Sequence, residues 1–301
     1  MEVGRAVSPL HRIMVATDFS SAGHAAVARA AQLADQNQSL LAICHATPDW
    51  TLFSERAQAS QEHYTQITRN ADELMRRELS WVASRWRLTQ VRGEVVRGRA
   101  AAAIAQAMDA FQPDLMVVGA GGEHVLPGGA AVLGGTALKL ISRVTLPVLL
   151  VRGEEAPGPY ESTLAAVPRD ARVGLRLVRW ATTLVGSGDC HVVRAYDAPY
   201  EIRMRLCGYD DAVIALATEN QRLMAQQDCA SLQRLLTAGR LTVHVVRGTP
   251  LETVLAQVAE HSPQLVVVGQ HQRRPDEHSA GAAGLGTRLA YHCPTDVLMV
   301  P

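Results

Sequence analysis

The stretch VVRGRAAAAIAQAMDAFQPDLMVVG, residues 95–119, returns as VVRGTPLETVLAQVAEHSPQLVVVG at residues 245–269. Adding 150 to Arg97 gives Arg247, and the same step takes Gly98 to Gly248, Pro113 to Pro263, Gly119 to Gly269 and Gly134 to Gly284. Self-similarity at one fixed spacing is the mark of a repeated structural unit. The stretch itself reads as strand, helix, strand: an apolar run ending in Arg-Gly, an alanine-rich helical segment, a proline stop, and a second apolar run with no polar alternation. A strand of that last kind is covered on both faces, as in a parallel sheet.

Working outward, the same alternation fills each half. In the first half strands are expected at His11–Thr17, Leu40–Ala46, Val91–Arg97, Leu115–Gly119 and Pro147–Val151. Helices are expected after Ser20 or Ser21, whose hydroxyls can cap one, and over Glu55–Trp86, Ala100–Phe111 and Thr136–Arg143. Within Glu55–Trp86, Tyr64, Ile67, Ala71, Leu74, Leu79, Val82 and Trp86 recur near helical spacing. In the second half strands are expected near Thr163–Pro168, Cys190–Tyr196, Leu241–Val246, Leu265–Gly269 and Asp296–Val300, with helices between. Strand–helix alternation with right-handed crossovers predicts an α/β fold of two tandem, doubly wound, five-stranded parallel-sheet domains. The expected boundaries are 1–152 for the first domain, 153–161 for a Pro/Gly linker and 162–301 for the second. Apolar final strands at Pro147–Val151 and Asp296–Val300 predict an intramolecular pseudo-dimer paired through them, and leave a further homodimer open.

Composition bounds the function classes. The chain has 301 residues, of which 48% are hydrophobic and 19% charged, enough for two packed cores. Lys plus Arg equals Asp plus Glu, at 29 each, so no basic excess points to nucleic acid or an anionic membrane. No apolar run is long enough to span a bilayer, and Met1 to His11 lacks the apolar core of a secretory signal. The cysteines Cys44, Cys190, Cys207, Cys229 and Cys293 form no CxxC pair and read as reduced thiols of a cytoplasmic protein.

In doubly wound sheets ligands sit beyond the carboxyl ends of the strands where strand order reverses. That directs attention to Thr17-Asp18 and to the segment from Gly119 to Lys139, GAGGEHVLPGGAAVLGGTALK. Its glycines let backbone approach phosphate oxygens, and a helix starting at Gly135-Thr136 offers free amides to an anion. Thr136 can cap that helix or give its hydroxyl to a phosphate. The plain alternatives are a flexible loop with a capped helix and, for Asp18, a carboxylate favoured by a helix N-terminus.

These residues resemble the universal stress protein family over nearly the whole chain, twice. The opening Ile13-Met14-Val15-Ala16-Thr17-Asp18-Phe19-Ser20 and the closing Leu146-Pro147-Val148-Leu149-Leu150-Val151 are similar to the family's first and last strands. ATP-binding members carry Gly-x2-Gly-x9-Gly-[Ser/Thr] after the fourth strand. Gly119-Ala120-Gly121-Gly122 matches the first part. Eleven residues rather than nine then precede Gly134, and Gly135 stands where a hydroxyl residue is usual, with Thr136 one step later. The resemblance implies an adenine nucleotide alpha hydrolase-like, Rossmann-like fold and a stress-response role. It implies ATP, with Mg, bound by Thr17, Asp18, Ala46, Gly119, Gly122, Gly134, Gly135 and Thr136. Asp18 would lie near the ribose and adenine, Ala46 against the adenine, and the glycines with Thr136 around the phosphates.

The second half departs from that pattern: 18 plus 150 is 168, a proline, Gly269 is followed by Gln270-His271-Gln272, and Leu285 follows Gly284. Its nucleotide site reads as degenerate. His271, Arg273, Arg274, Asp276, Glu277 and His278 match no defined metal spacing and read as a solvated loop, so no metal site is expected. Arg97 and Arg247 read as ion-pairing residues, and Cys44, Cys190 and Cys293 as inert core thiols. No Ser-His-Asp, Cys-His or paired-carboxylate set is present, so no catalytic residue is assigned and at most slow ATP hydrolysis is expected. The alternative reading is a regulatory module on the same fold that binds a protein partner and no nucleotide. An adenylating ligase is disfavoured, because Asp18-Phe19-Ser20-Ser21 does not resemble its Ser-Gly-Gly-x-Asp-Ser loop.

Overall fold

The computed structural model describes residues 10–48, 59–121, 133–153, 158–196, 201–235, 240–270 and 284–301, with no side chains described at 59–64, 202 and 235. The chain divides into two compact units, 8–159 and 160–300.

In the first unit the elements run β1 (Arg12–Ala16), α1 (Ser21–Asn37), β2 (Leu40–Thr47), α2 (Ala59–Arg85), β3 (Gln90–Arg97), α3 (Ala100–Phe111), β4 (Leu115–Gly119), α4 (Gly135–Arg143) and β5 (Val148–Val151). The strands lie in the order β3-β2-β1-β4-β5, all parallel. Helices α1 and α2 pack on one face of this sheet and α3 on the other, with α4 beside α3. Coverage of both faces is why Ile13, Met14 and Val15 of β1 and Leu115, Met116 and Val117 of β4 are all buried despite pointing alternately up and down.

The second unit repeats the scheme: β6 (Ser162–Ala166), α5 (Ala171–Val185), β7 (Asp189–Tyr196), α6 (Glu201–Leu206), α7 (Asp211–Leu235), β8 (Arg240–Arg247), α8 (Pro250–His261), β9 (Leu265–Gly269), α9 (Leu285–His292) and β10 (Asp296–Val300). Its order is β8-β7-β6-β9-β10, again parallel. The α/β class and the parallel five-strand order expected for each half are what the structure has. Strand ends differ from the sequence reading by one or two residues. The long first-half helix is described from Ala59, and the short helix α6 was not foreseen.

The repeated residues have repeated jobs. Gly98 and Gly248 take φ of +132° and +149°, a region closed to side-chain-bearing residues, and each donates its amide to the end of the neighbouring strand, at Thr47 O and Tyr196 O. Gln112 and Ser262 end α3 and α8 in the left-handed region, and Pro113 and Pro263 then prevent continuation. Asp114 Oδ2 accepts the amides of His11 and Arg12 at 2.8 and 2.9 Å, pinning the start of β1 to β4. At the matching position Gln264 Oε1 accepts the amides of Glu161 and Ser162.

Among the described residues no helix is long and apolar enough to cross a membrane. Cys44, Cys190, Cys229 and Cys293 are buried and Cys207 is exposed. Burial pushes the Cys44 thiol up to about 12 and Cys229 to about 11, and raises Cys190 as well. Thiolate is the reactive form. A thiol reagent at pH 8 should therefore label Cys207 rapidly and the other four only on unfolding. Mass mapping of the labelled protein checks this, and fast labelling of Cys44 would contradict it.

Candidate functional site

In the first unit the winding reverses between β1 and β4: β2 and β3 lie to one side, β5 to the other. A cleft of about 700 Å³ opens over the carboxyl ends of these strands, within the 300–1,000 Å³ typical of small-molecule sites.

The loop leaving β1 forms its floor. The Thr17 amide donates to Cys44 O, and Thr17 Oγ1 accepts the amide of Phe19. Asp18 Oδ1 accepts the Ser20 amide at 3.0 Å and the Ser20 hydroxyl. Ser20 Oγ in turn accepts from Gly23 N and is the N-cap of α1. Phe19, held at φ +62°, lies against the His45 ring at 4.4 Å between centroids. A carbonyl can only accept, so His45 Nδ1 donates to Thr17 O at 2.9 Å, leaving Nε2 as the ring's other atom. Asp18 is exposed, with one oxygen committed to the turn.

Two close approaches demand glycine. A Cβ on Gly23 would stand 2.6 Å from Asp18 Oδ1 and 2.8 Å from Thr17 Oγ1, and one on Gly119 would stand 2.8 Å from Ala22 O. Real Cβ atoms do not reach these distances, so the first turn of α1 sits directly on the β1 loop and the end of β4. Gly135, by contrast, has nothing within 4 Å of the Cβ position.

Across the cleft, α4 begins at Gly135 with Gly134 as its cap and no side-chain hydrogen bond to its first turn; Leu138 N is the first amide bonded back, to Gly134 O. The amides of Gly135, Thr136 and Ala137 precede it, at the positive end of the helix dipole. Thr136 was expected as a possible cap. It is instead the second helical residue, because the extended backbone at Gly134 already starts the helix. Helix α3 likewise starts without a side-chain cap, and its Ala100 and Ile104 line the cleft. The outer wall is α2, through Ile67, Asn70 and Leu74, the two apolar ones 38% and 41% exposed. Their helical spacing pointed to a helix, and on that helix they face the cleft.

Of the residues named from sequence, Thr17, Asp18, Ala46, Gly119, Gly134, Gly135 and Thr136 all line this one cleft. Gly122 lies outside the described residues. Gly23, His45 and the α2 residues were missed. Gly23 did carry a signal, a glycine in the first turn of a helix that propensity alone would not choose. Among the described lining residues none is Lys or Arg, so the donors they offer an anion are chiefly the free helix amides.

In the second unit Pro168 stands at the position of Asp18, and Asp170 takes over as N-cap of α5, accepting from Arg172 N and Val173 N. Val173 stands where the first unit has Gly23, and its Cγ1 lies 3.6 Å from the Cβ position of Gly269. Arg247 Nη2 pairs with Glu201 Oε2 at 2.5 Å, as its ion-pair reading expected. The loop carrying His271 to His278 lies outside the described residues.

Residues 9–152 match the model of the universal stress protein family. No curated protein sequence matches the chain. Among solved structures, a universal stress protein from Archaeoglobus fulgidus DSM 4304 is 12% identical with a TM-score of 0.63, covering 96% of this chain and 97% of that one. A putative universal stress protein from Pseudomonas aeruginosa UCBPP-PA14 is 16% identical with a TM-score of 0.64, covering 98% and 95%. A universal stress protein in complex with cAMP is 24% identical over 48% of this chain and 99% of that one, with a TM-score of 0.39. The sequence match to the universal stress protein family thus falls on the first unit, and over the whole chain the likeness to these solved structures is one of fold.

Proposed function

We propose that the chain is a tandem universal stress protein of the cytoplasm whose first unit binds ATP with Mg²⁺, while the second unit has lost that site. The observation that carries this reading is the convergence of Thr17, Asp18, Ala46, Gly119, Gly134, Gly135 and Thr136 on one cleft at a strand-order reversal.

The chemistry of the lining supports an orientation. The uncapped start of α4 suits a phosphate chain, since its free amides donate to anionic oxygens without a cationic side chain. Asp18 repels phosphate but accepts from hydroxyls, so it belongs at the ribose. The apolar groups of α2 and β2 that line the cleft, the exposed Ile67 and Leu74 and the half-buried Ala46, suit a base. Nothing among the described lining residues supplies a general base paired with a nucleophile, and the reading is one of binding, with hydrolysis slow at most.

Two outcomes follow. Asp18→Ala should weaken ATP binding roughly 10–100-fold, the equivalent of losing a hydrogen bond to a charged group worth about 1.5–3 kcal/mol. Circular dichroism should be unchanged, since Asp18 is exposed and Ser20 still caps α1. Calorimetry on the full chain should give one ATP per chain; no saturation at millimolar ATP with Mg²⁺ would refute the reading, and two sites would refute the loss in the second unit.

Gly23→Val installs the residue that the second unit carries at that position. Helix α5 forms with Val173, so α1 should still form, but the side chain meets Asp18 and Thr17. ATP binding should fall below detection while the melting temperature drops by only a few degrees, about 1–3 kcal/mol of overpacking. Unimpaired binding would show that the nucleotide does not use this cleft.

A further inference from the structure

Three histidines of the second unit, far apart in sequence, meet on one face of its sheet. His191 is on β7, His244 on β8 and His261 is the last residue of α8, which packs on β7. One ring nitrogen from each lies within 4.8 Å of the other two. His191 Nδ1 and His244 Nε2 are 3.1 Å apart. The His191 and His261 rings are stacked at 4.3 Å and 10°, and the His244 and His261 centroids are 4.6 Å apart. All three are part-buried. His261 Nε2 is buried with no hydrogen-bond partner among the described residues, an arrangement that costs free energy unless something binds there.

We propose that His191, His244 and His261 hold a divalent transition-metal ion of the zinc class. With metal–nitrogen bonds of about 2.0–2.1 Å, tetrahedral ligand atoms stand about 3.3 Å apart. The His191–His244 pair already has that spacing, and side-chain rotation brings in His261. Three imidazoles leave a fourth position for water or an exogenous ligand. Nitrogen-only donation selects zinc, copper, nickel or cobalt over magnesium and calcium. The neighbouring carboxylates are engaged elsewhere: Glu260 accepts from Gln257 Nε2 at 2.7 Å, and Asp189 lies 4.0 Å from Arg240. Gln257 Oε1, buried and unpartnered among the described residues, sits one turn before His261 and offers an acceptor for a ligand's second N–H.

The fold alone does not call for these side chains. By strand register and helix position, the first unit has Ala42, Glu94 and Phe111 in their places. There the Phe111 ring is covered by the Arg12 and Arg92 guanidinium groups at 4.8 and 4.4 Å.

The full chain, freed of metal by chelator and dialysis, is titrated with Zn²⁺ and separately with Co²⁺. One tight equivalent is expected, with the intense visible bands of tetrahedral Co²⁺. His261→Phe and His244→Gln should each weaken zinc binding by about 100-fold or more, since losses outside the ligand shell alone cost 10–100-fold. His261→Phe copies the first unit's residue and should fold. Paramagnetic shifts from Co²⁺ on the wild-type histidine ring protons give a readout that needs no variant; they should be largest at His191, His244 and His261. Zinc binding that is absent at micromolar concentration, or unchanged in both variants, or Co²⁺ shifts centred on other histidines, would overturn the proposal. None of these readouts involves nucleotide.

Discussion

The first unit depends on one topological constraint, the reversal of winding between β1 and β4. Two parallel neighbours whose following connections leave in opposite directions cannot close the space above their carboxyl ends. The chain meets the constraint by bringing α1 down onto both strand ends, and that approach has a steric consequence. Gly119 has Ala22 O where its Cβ would be, and Gly23 has Asp18 and Thr17 there. The left-handed turn at Phe19 and the Ser20 cap follow, since the chain must turn within four residues from β1 into a helix seated that close. The cleft is thus a by-product of sheet topology, shaped by glycine contacts and edged by uncapped helix starts.

The second unit separates scaffold from site. It keeps the strand order, the glycines at φ +132° and +149°, the left-handed helix stops and the side-chain clamp at the strand start, even though Asp114 becomes Gln264. A carboxylate and an amide oxygen both accept two amides, so the clamp tolerates the exchange. What it does not keep is Gly23 or Asp18. Once Pro168 removes the carboxylate, Asp170 supplies the helix cap, and Val173 fills the space beside Gly269. A fold of this kind specifies where a site can be, and a few side chains decide whether one is there.

This division explains what could be read from sequence. The Leu115–Gly119 and Leu265–Gly269 strands and the Ala100–Phe111 helix were legible to the residue, because an apolar run bounded by proline and glycine leaves little freedom. Seven of the eight named binding positions are in the cleft, because strand ends and glycine-rich segments are local features. The α2 wall was not legible. Ile67 and Leu74 carry the periodicity of core residues, and period does not distinguish a face against the sheet from a face over a cleft. The histidines were illegible for a different reason: His191 and His244 are 53 residues apart, and only the register of β7 against β8 brings them together.

The two units treat the same place on the sheet in opposite ways. Where the first has an aromatic ring within 4.8 and 4.4 Å of two guanidinium groups, the cations are attracted to the ring's negative faces. The second unit has Ser162 and Thr242 at the positions of Arg12 and Arg92, so those positive charges are gone, and the histidines at the positions of Ala42, Glu94 and Phe111 bring several nitrogen atoms together in a part-buried space. Three such groups cannot satisfy one another fully: each neutral ring has one donor and one acceptor, and two of the rings are stacked nearly parallel, which does not align their N–H bonds with each other's lone pairs. The remaining demand, expressed in a His261 Nε2 without a partner among the described residues, is for a single positive centre that all three can face at once. A cation of high affinity for imidazole meets it; a purely apolar packing role would have been served equally well by the phenylalanine of the first unit.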